Sequence, residues 1–228
     1  GCMRFNRDEN EVEREILYAI ENGINYFDTA YAYPGSEERL GRVLAKGYRQ
    51  QVSVATKMPT YLLNKSEDIG KMFATQLKRL KTDYIDYYLM HMLTNTKEWG
   101  RVCDMGMLDF LKEKKESGQI KNIGFSYHGG LQDFKALIDV YDWDFCMIQF
   151  NYLDENNQAG KAGLDYAAAK GLTVMIMEPL RGGKLAGKLP QEAMGAFESI
   201  PEQRSPAEWG LRWVWNHPAV TTVLSGMN

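Results

Sequence analysis

The chain has few cysteines and lacks any long apolar run, and these two absences remove several classes of protein. Only Cys2, Cys103 and Cys146 occur among 228 residues, and no two of them form a CxxC pair. An odd number of cysteines without that spacing argues against a disulfide framework or a cysteine metal site and is typical of a reduced cytoplasmic protein. No apolar stretch approaches the roughly 18 residues of a membrane-spanning helix, and the N-terminus does not resemble a signal peptide.

Net charge and histidine are also scarce. The formal net charge is −3 and there are three histidines. A nearly balanced charge argues against a nucleic acid or an anionic membrane as partner. The sequence contains neither an HExxH motif nor a pair of closely spaced histidines, so we predict no metal site. These absences favour a cytoplasmic protein and leave its oligomeric state open.

Short strand-like segments alternate with amphipathic helical segments along the whole chain. The strand-like segments read YFD, VSVATK, IDYYLMH, IKNIGFS, FCMIQFNY, LTVMIME and VTTVLSG. Helical patterns such as EVEREILYAIENG separate them, and no linker or low-complexity segment interrupts the series. This alternation predicts parallel strands joined by helical crossovers.

We therefore predict that residues 1–228 form a single (β/α)8 barrel domain. Seven strands are visible, and we expect GCMRF, at the start, to be part of an eighth. The alternative is an open doubly wound sheet, which the even spacing of the strands and the lack of a GxGxxG turn disfavour. Because such barrels usually take about 250 residues, we expect this sequence to be incomplete at both ends.

Local signals mark several helix boundaries. Ser36 begins the helical segment SEERLGRVLAK and is expected to cap that helix. Ser205 followed by Pro206 is a similar start signal. DMGMLDFLKEKKESG is expected to be one helix that ends at Gly118.

Polar side chains stand where most of the apolar strands end. The residues at these ends are Asp28, Lys57, His91, Ser126, Gln149, Asn151 and Glu178. In a (β/α)8 barrel the carboxyl ends of the strands share one rim, where the active site lies. The sequence therefore predicts that these side chains converge on one site.

The residue types at these ends favour proton transfer to an oxygen atom. A lysine at the barrel mouth can pair with an aspartate from a neighbouring strand, and its ammonium group lowers the pKa of a nearby phenol. Such a phenol is expected to donate a proton close to neutral pH, as a general acid does. FDTAYAY offers two phenols, Tyr31 and Tyr33, and spacing alone does not choose between them. His91 is expected either to orient the reacting carbonyl oxygen or to share in the proton transfer. Proton transfer to an oxygen pairs naturally with hydride delivery from a cofactor.

Several motifs in order resemble the aldo-keto reductase family. They are FDTAxxY, TK at the next strand, LMH, GFS, QFNY and a PL loop with glycines, and together they cover essentially the whole chain. MEPLRGGKL and SPAEWGLRWVWNHPAVTTVLSG are similar to a bacterial subgroup whose longer members carry a C-terminal ferredoxin-like extension. No iron–sulfur motif is present in this sequence, so we predict no cluster within it.

The resemblance implies an NADP(H)-dependent carbonyl reductase with four catalytic residues. It assigns the phenol to Tyr33, five residues after Asp28, and adds Lys57 and His91. Tyr31 is then expected to line the substrate cleft. His128, beside the expected nicotinamide loop, is a further candidate for substrate contact.

The resemblance also implies a set of cofactor contacts. Ser126 and Gln149 match residues that bind the nicotinamide carboxamide, and Met177 stands where many members stack an aromatic ring on the nicotinamide. The other matching positions, in the pyrophosphate loop and toward the adenosine phosphate, are Pro179, Leu180, Arg181, Gly183, Lys184, Leu185, Gly226 and Met227. Tyr127 replaces an asparagine common in the family. The resemblance favours NADP over NAD. Relatives continue past the last residue of this sequence into a segment that contacts the 2′-phosphate, and because that segment is not in the given sequence, the choice between the two cofactors stays open.

Two other functions stay open from the sequence. One is a non-catalytic nucleotide-sensing barrel subunit, against which an intact set of four catalytic residues argues. The other is a Schiff-base lyase with Lys57 as nucleophile. An aspartate beside that lysine disfavours amine attack because it keeps the lysine charged.

Overall fold

The computed structural model describes residues 1–6, 8–199 and 201–226. Seven strands form one parallel sheet in which each strand pairs with the next in sequence. The strands are β1 Tyr26–Asp28, β2 Ser53–Met58, β3 Ile85–Leu93, β4 Ile120–Tyr127, β5 Phe145–Gln149, β6 Thr173–Met177 and β7 Val220–Val223. A doubly wound sheet would reverse its strand order at a switch point. The sequential order therefore confirms the (β/α)8 barrel fold.

Helices connect the strands on the outside of the sheet. They are α1 Glu9–Glu21, α2 Ser36–Leu44, α3 Ser66–Leu80, α4 Thr96–Asp104, α5 Met107–Glu116, α6 Leu131–Asp139, α7 Gly160–Ala169, α8 Lys184–Gly187, α9 Gln191–Glu198 and α10 Pro206–Trp215. Among the described residues, no helix has the length and apolar character needed to cross a bilayer.

The expected first strand, GCMRF, is not a strand in the structure. Residues 3–4 form a turn, and two backbone hydrogen bonds link the segment to residues at the ends of β1 and β7. The Cys2 amide donates to Asp28 O at 2.7 Å, and the Gly1 amino group donates to Ser225 O at 2.6 Å. The segment thus bridges the ends of β1 and β7 but contributes too few paired residues to form a ladder.

Two helix boundaries also differ from the sequence-based expectation. Gly35 occupies the N-cap of α2 with φ 70°, whereas Ser36 lies inside the helix. The Ser36 hydroxyl lies 2.7 Å from Thr29 Oγ1 and donates to Cys2 O at 2.8 Å. These buried partners outside the helix compete with capping, so Ser36 does not cap α2. The single helix expected before Gly118 begins only at Met107, after Gly106 with φ 92° separates it from α4. By contrast, Ser205 caps α10 as expected, its side chain accepting from Glu208 N at 3.1 Å.

The inside of the barrel is filled by a cluster of buried apolar side chains. This cluster consists of Ala55, Leu89, Phe145, Met147 and Met175, with Phe145 two residues before Met147 on β5. Side chains of a strand alternate between faces, so residues two positions further along each strand point to the same side. The next layer toward the carboxyl ends is therefore the barrel mouth.

Candidate active site

Six of the predicted residues form the layer at the barrel mouth. They are Asp28, Lys57, His91, Ser126, Gln149 and Met177. Lys57 follows Ala55 by two residues, and His91 follows Leu89 by the same step. The strand register places Gln149 opposite Met177 across β5 and β6. Strand alternation thus explains why polar side chains from apolar strands meet at one place.

A buried ion pair lies at the centre of this layer. Lys57 Nζ donates to Asp28 Oδ1 at 2.7 Å and lies 2.7 Å from Oδ2 as well, with the side chains 2% and 5% exposed. Lys57 Nζ also donates to the backbone oxygen of Thr29 at 2.7 Å. Burial lowers the pKa of Lys57, but the Asp28 carboxylate and the Tyr33 phenol outweigh it and raise this pKa above its ordinary value. Lys57 is therefore a fixed positive charge.

The loop after β1 brings Tyr33 back over this charge. The Tyr33 amide donates to Ala30 O at 3.0 Å, closing a turn that folds the loop over β2. The ammonium group of Lys57 lies 5.0 Å from the Tyr33 ring centroid, and the His91 ring lies 5.8 Å from it in an edge-to-face arrangement. The four residues assigned to catalysis from the resemblance are therefore neighbours in the structure.

Tyr31 does not line the cleft, contrary to expectation. The Arg79 guanidinium stacks on its ring at 4.5 Å, and Arg79 also donates to its backbone oxygen at 3.3 Å. A two-residue turn places the two phenols of FDTAYAY on opposite sides of the loop, Tyr33 at the mouth and Tyr31 against α3.

The pKa of Tyr33 does not follow the expectation of a phenol that ionises near neutral pH. Burial raises this pKa, and although the Lys57 charge lowers it, Asp28 raises it again, so the value stays above the ordinary one. Burial outweighs the ammonium because the phenol has few partners that would solvate its charged form. Tyr33 is thus protonated throughout the neutral range.

His91 is a neutral imidazole. Burial, together with the charge of Lys57 and the nearby His128, lowers its pKa from 6.5 to about 3. Its Nδ1 atom is buried and has no hydrogen-bond partner among the residues that the structure describes. A buried polar atom without a partner at the mouth of a cleft is a place where a ligand oxygen or nitrogen can bind.

A bulge in β3 directs His91. The pairing of β3 with β4 shifts register between Met90 and Leu93, and Met92 has φ 58°, in the left-handed region. The Met92 amide donates to Ser126 Oγ at 2.9 Å, which holds the bulge in place. Bulges of this kind often redirect a side chain next to a site. No signal in the sequence indicated it.

The mouth opens into a cleft of about 410 Å³. Five of the predicted cofactor residues line it: Met177, Pro179, Leu180, Gly183 and Gly226. Tyr33, His91 and His128 line it too. The lining residues that the sequence did not indicate are Gly1, Met3, Arg4, Ala32, Tyr61, Met92, Leu224 and Ser225. Most of them come from loops, where no periodicity shows which side chains turn inward.

The remaining predicted cofactor residues are not among the described residues that line the cleft. Ser126 and Gln149 are buried, with 1% and 5% exposure. Leu185 is buried in the core and Lys184 is exposed, while Met227 lies outside the described residues.

Asp154 organises two of the predicted cofactor residues from behind. Its Oδ2 atom accepts from Gln149 Nε2 at 2.8 Å and from Asn151 Nδ2 at 3.1 Å, and it pairs with Arg181 Nε at 3.0 Å. Because Asp154 is an acceptor, it requires Gln149 to present its amide nitrogen there. Asn151, one of the polar residues at the strand ends, thus helps to hold the Asp154 carboxylate in place. In the described part of the chain, no group of three His, Cys, Asp or Glu side chains is placed to hold a metal ion.

A parallel barrel with a buried lysine–aspartate pair, a phenol and a neutral histidine at its mouth has the groups that proton transfer requires. Comparison with known proteins narrows the class of protein. The family model described as "Aldo/keto reductase family" matches residues 1–228, and the chain belongs to that family.

Individual relatives agree with this assignment. YrpG of Bacillus subtilis, described as an uncharacterized oxidoreductase, is 28% identical over 99% of this chain and 81% of its own length. An NADH-specific methylglyoxal reductase of Escherichia coli is 28% identical over 78% of this chain and 59% of its own. The holo form of aldo-keto reductase AKR11C1 from Bacillus halodurans matches with a TM-score of 0.81 at 28% identity, covering 98% of this chain and 79% of that one. The protein is therefore an oxidoreductase whose family uses nicotinamide cofactors and small-molecule substrates.

Proposed function

We propose that this protein reduces a small carbonyl compound with NADP(H), and oxidises the corresponding alcohol in reverse, with Tyr33 as general acid and base. The observation that carries the proposal is the position of Lys57 Nζ, which is buried between the Asp28 carboxylate and the Tyr33 ring. This arrangement lies at the mouth of a cleft large enough for a small ligand. It supports proton transfer to an oxygen atom bound beside the phenol.

Tyr33 starts from its protonated form. In reduction, its O–H bond breaks as the proton passes to the carbonyl oxygen, which becomes the alcohol. The phenolate left behind is stabilised by Lys57, whose charge Asp28 keeps in place. General acid catalysis of this kind contributes roughly 10²–10⁴-fold to the rate.

His91 is suited to hold the carbonyl oxygen. Because its pKa is about 3, it is neutral at physiological pH and has one N–H group to donate. A hydrogen bond to the oxygen would satisfy a polar atom that the fold leaves without a partner. His91 would thus orient the carbonyl toward Tyr33.

The residues around the cleft fit a nicotinamide dinucleotide. When bound, the cofactor supplies the hydride that goes to the carbonyl carbon. Ser126 and Gln149 would hold the carboxamide: Ser126 Oγ accepts from the Met92 amide, so its own hydroxyl proton is available to donate. Met177 would pack on the ring. The pyrophosphate would lie along Pro179, Leu180 and the backbone at Gly183. That loop would be supported by Arg181, Lys184 and Leu185. The adenosine end would lie toward Gly226 and Met227.

We infer a preference for NADP(H) over NAD(H). Arg4, at the cleft edge, and Lys184, in the loop, add positive charge that would favour the additional phosphate group. The alternative is a preference for NADH, as in the E. coli relative that is named as NADH-specific. Titration of the protein's tryptophan fluorescence with NADPH and with NADH tests the preference, and tighter binding of NADH would reverse it.

The lyase alternative is weakened by the ion pair. A lysine that attacks a carbonyl must lose its proton, whereas Asp28 keeps Lys57 charged. Borohydride treatment in the presence of a carbonyl substrate should leave Lys57 unmodified, as peptide mass analysis would show.

We further infer that the chain is a single domain, since its seven strands form one sheet, and that it works in the cytoplasm.

The decisive experiment measures the oxidation of NADPH with a panel of aliphatic and aromatic aldehydes. We expect turnover with some members of the panel. Cofactor binding without turnover on any of them would favour a nucleotide-sensing barrel instead.

A further inference from the structure

A cluster of buried polar side chains lies directly behind the mouth of the barrel, on the helical side of β2. We call Glu37, Thr56, Gln76, Arg79 and Tyr88 the Glu37 cluster. Glu37, Thr56, Gln76 and Tyr88 are fully buried. None of the five lines the cleft.

The Glu37 carboxylate is the centre of this cluster. Its Oε1 atom accepts from Thr56 Oγ1 at 2.6 Å and from Gln76 Nε2 at 3.0 Å. Its Oε2 atom accepts from Arg79 Nη1 at 3.2 Å. Tyr88 fixes the amide of Gln76 by donating its hydroxyl to Gln76 Oε1 at 2.7 Å. An extensive set of partners in a buried place leaves little freedom for any of these side chains.

The cluster contacts the backbone of both segments that carry the proposed acid and its charge partner. Gln76 Nε2 donates to Lys57 O at 3.1 Å, and the same oxygen accepts from the Tyr31 amide at 3.3 Å. Arg79 Nη1 donates to Tyr31 O at 3.3 Å. Both sides of the Tyr31 peptide segment are therefore held, two residues before Tyr33.

We infer that the Glu37 cluster sets the distance between Tyr33 and Lys57, so that Glu37, Gln76 and Arg79 are positioning residues for the reaction. The inference rests on the proposed function of Tyr33. Glu37 lies in the first turn of α2, the helix that follows the Tyr33 loop, whereas Gln76 and Arg79 belong to α3 and Lys57 to β2. One carboxylate thus links three elements whose relative placement decides where the phenol lies. A displacement of about 1 Å in a reacting group can cost about 10²-fold in rate.

The chain offers a matched control at the other end of the same strands. Asp86 is also a buried carboxylate, and it binds Arg49 Nη2 at 2.7 Å, Lys121 Nζ at 2.8 Å and the Val54 amide at 2.9 Å. Removing its charge should perturb the stability of β2 and β3 without touching the Tyr33 loop.

The first test compares Glu37→Gln with Asp86→Asn in single-turnover reduction at saturating NADPH and aldehyde. We expect Glu37→Gln to slow this step by roughly 10- to 100-fold while the dissociation constant of NADPH is unchanged. Asp86→Asn should leave the rate unchanged while lowering the melting temperature. Arg79→Lys, at a partly exposed position, keeps the charge but cannot make all the same contacts, and it covers the case in which Glu37→Gln does not fold. An unchanged rate in a folded Glu37→Gln or Arg79→Lys protein would overturn the inference, as would an equal loss of rate in Asp86→Asn.

A second measurement does not depend on turnover. Hydrogen exchange at the Tyr31 amide should be about 10-fold faster in Glu37→Gln or Arg79→Lys than in the wild type, while exchange at the Val54 amide stays the same. Asp86→Asn should show the opposite pattern. If the wild-type protein reduces no carbonyl compound, the proposed function fails. The exchange rates then still test whether the Glu37 cluster positions the Tyr31 segment. Unaltered Tyr31 exchange would overturn it.

Discussion

Each end of the barrel holds a buried carboxylate paired with a cation, and the two pairs differ in what surrounds them. At the carboxyl ends of the strands, Asp28 and Lys57 have side chains 5% and 2% exposed. At the amino ends, Asp86 and Arg49 have side chains 8% and 10% exposed. The closest N···O distance is 2.7 Å in both pairs.

The amino-end pair is saturated by other protein groups. Besides Arg49, Asp86 binds Lys121 and the Val54 amide, and Arg49 donates to two backbone oxygens. Burial raises the pKa of Asp86, but these hydrogen bonds and the charge of Arg49 outweigh it and hold the pKa below its ordinary value. Both charged groups already have several protein partners, and the cluster joins the strands and loops at this end of the barrel.

The carboxyl-end pair borders an open cleft. Beside it lie a protonated phenol and the unpartnered Nδ1 atom of His91. A similar pair therefore serves a different purpose at this end, because neighbouring polar groups remain free to contact a bound molecule. The comparison teaches that burial and ion pairing alone do not identify an active site; what differs here is an unpartnered histidine atom on a residue that lines an open cleft.

The largest expected effect is at the carboxyl end. Tyr33→Phe removes the proposed proton donor and should lower carbonyl reduction by about 10²–10⁴-fold. Binding of NADPH should stay close to wild type, because the hydroxyl is not a predicted cofactor contact. Steady-state kinetics and fluorescence titration would measure both quantities. Tyr31→Phe is the matched control, and loss of activity there with activity retained in Tyr33→Phe would contradict the assignment.

At the amino end the expected effect is on stability. Asp86→Asn leaves Arg49 without its buried counter-charge and should lower the free energy of unfolding by about 3 kcal/mol. Denaturant unfolding near neutral pH would measure this loss.

Acid pH provides the control for that prediction. Because the folded pKa of Asp86 lies below its ordinary value of 3.8, its contribution is fully present above that value and is lost as pH falls through the folded pKa. The difference between wild type and Asp86→Asn should therefore shrink in strong acid. A difference that persists unchanged would show that packing, not charge, is responsible.

Coupling between the two charges of the carboxyl-end pair should be a smaller effect. Lys57→Met and Asp28→Asn both act on the same phenol, so the double variant should lose less activity than the sum of the two single losses. Direct neighbours typically couple by about 0.5–3 kcal/mol, and kcat/KM for the four proteins gives this value. Strict additivity would mean that the two residues act independently.

The smallest expected signal is an absence of titration. His91 should remain neutral from pH 5 to pH 8, since its pKa lies near 3. Proton NMR of the imidazole, assigned by its loss in His91→Gln, would show constant chemical shifts across this range. Below pH 6.5, the ordinary histidine pKa, the unfolded chain takes up a proton that the folded protein does not. This residue therefore lowers stability as pH falls toward 3. A His91 signal that titrates near pH 6.5 would contradict the burial argument.

The sequence by itself determined the barrel and most of its mouth. Strand–helix alternation predicts parallel strands in sequential order, and alternation along a strand places Lys57 two residues beyond Ala55 on the same face. These are local, periodic properties, and they could be recognised without any long-range contact. The motif resemblance chose Tyr33 over Tyr31, which spacing could not do.

Only the tertiary structure decided how these groups are held and tuned. The hydroxyl of Ser36 binds Cys2 O instead of capping its helix, and Tyr31 lies against Arg79 instead of facing the cleft. The pKa of Tyr33 remains high because burial outweighs the lysine beside it. Asp154 and Glu37 bind partners from other elements of the fold. Desolvation and hydrogen bonding depend on which atoms meet in space, so no local pattern in the sequence could predict them.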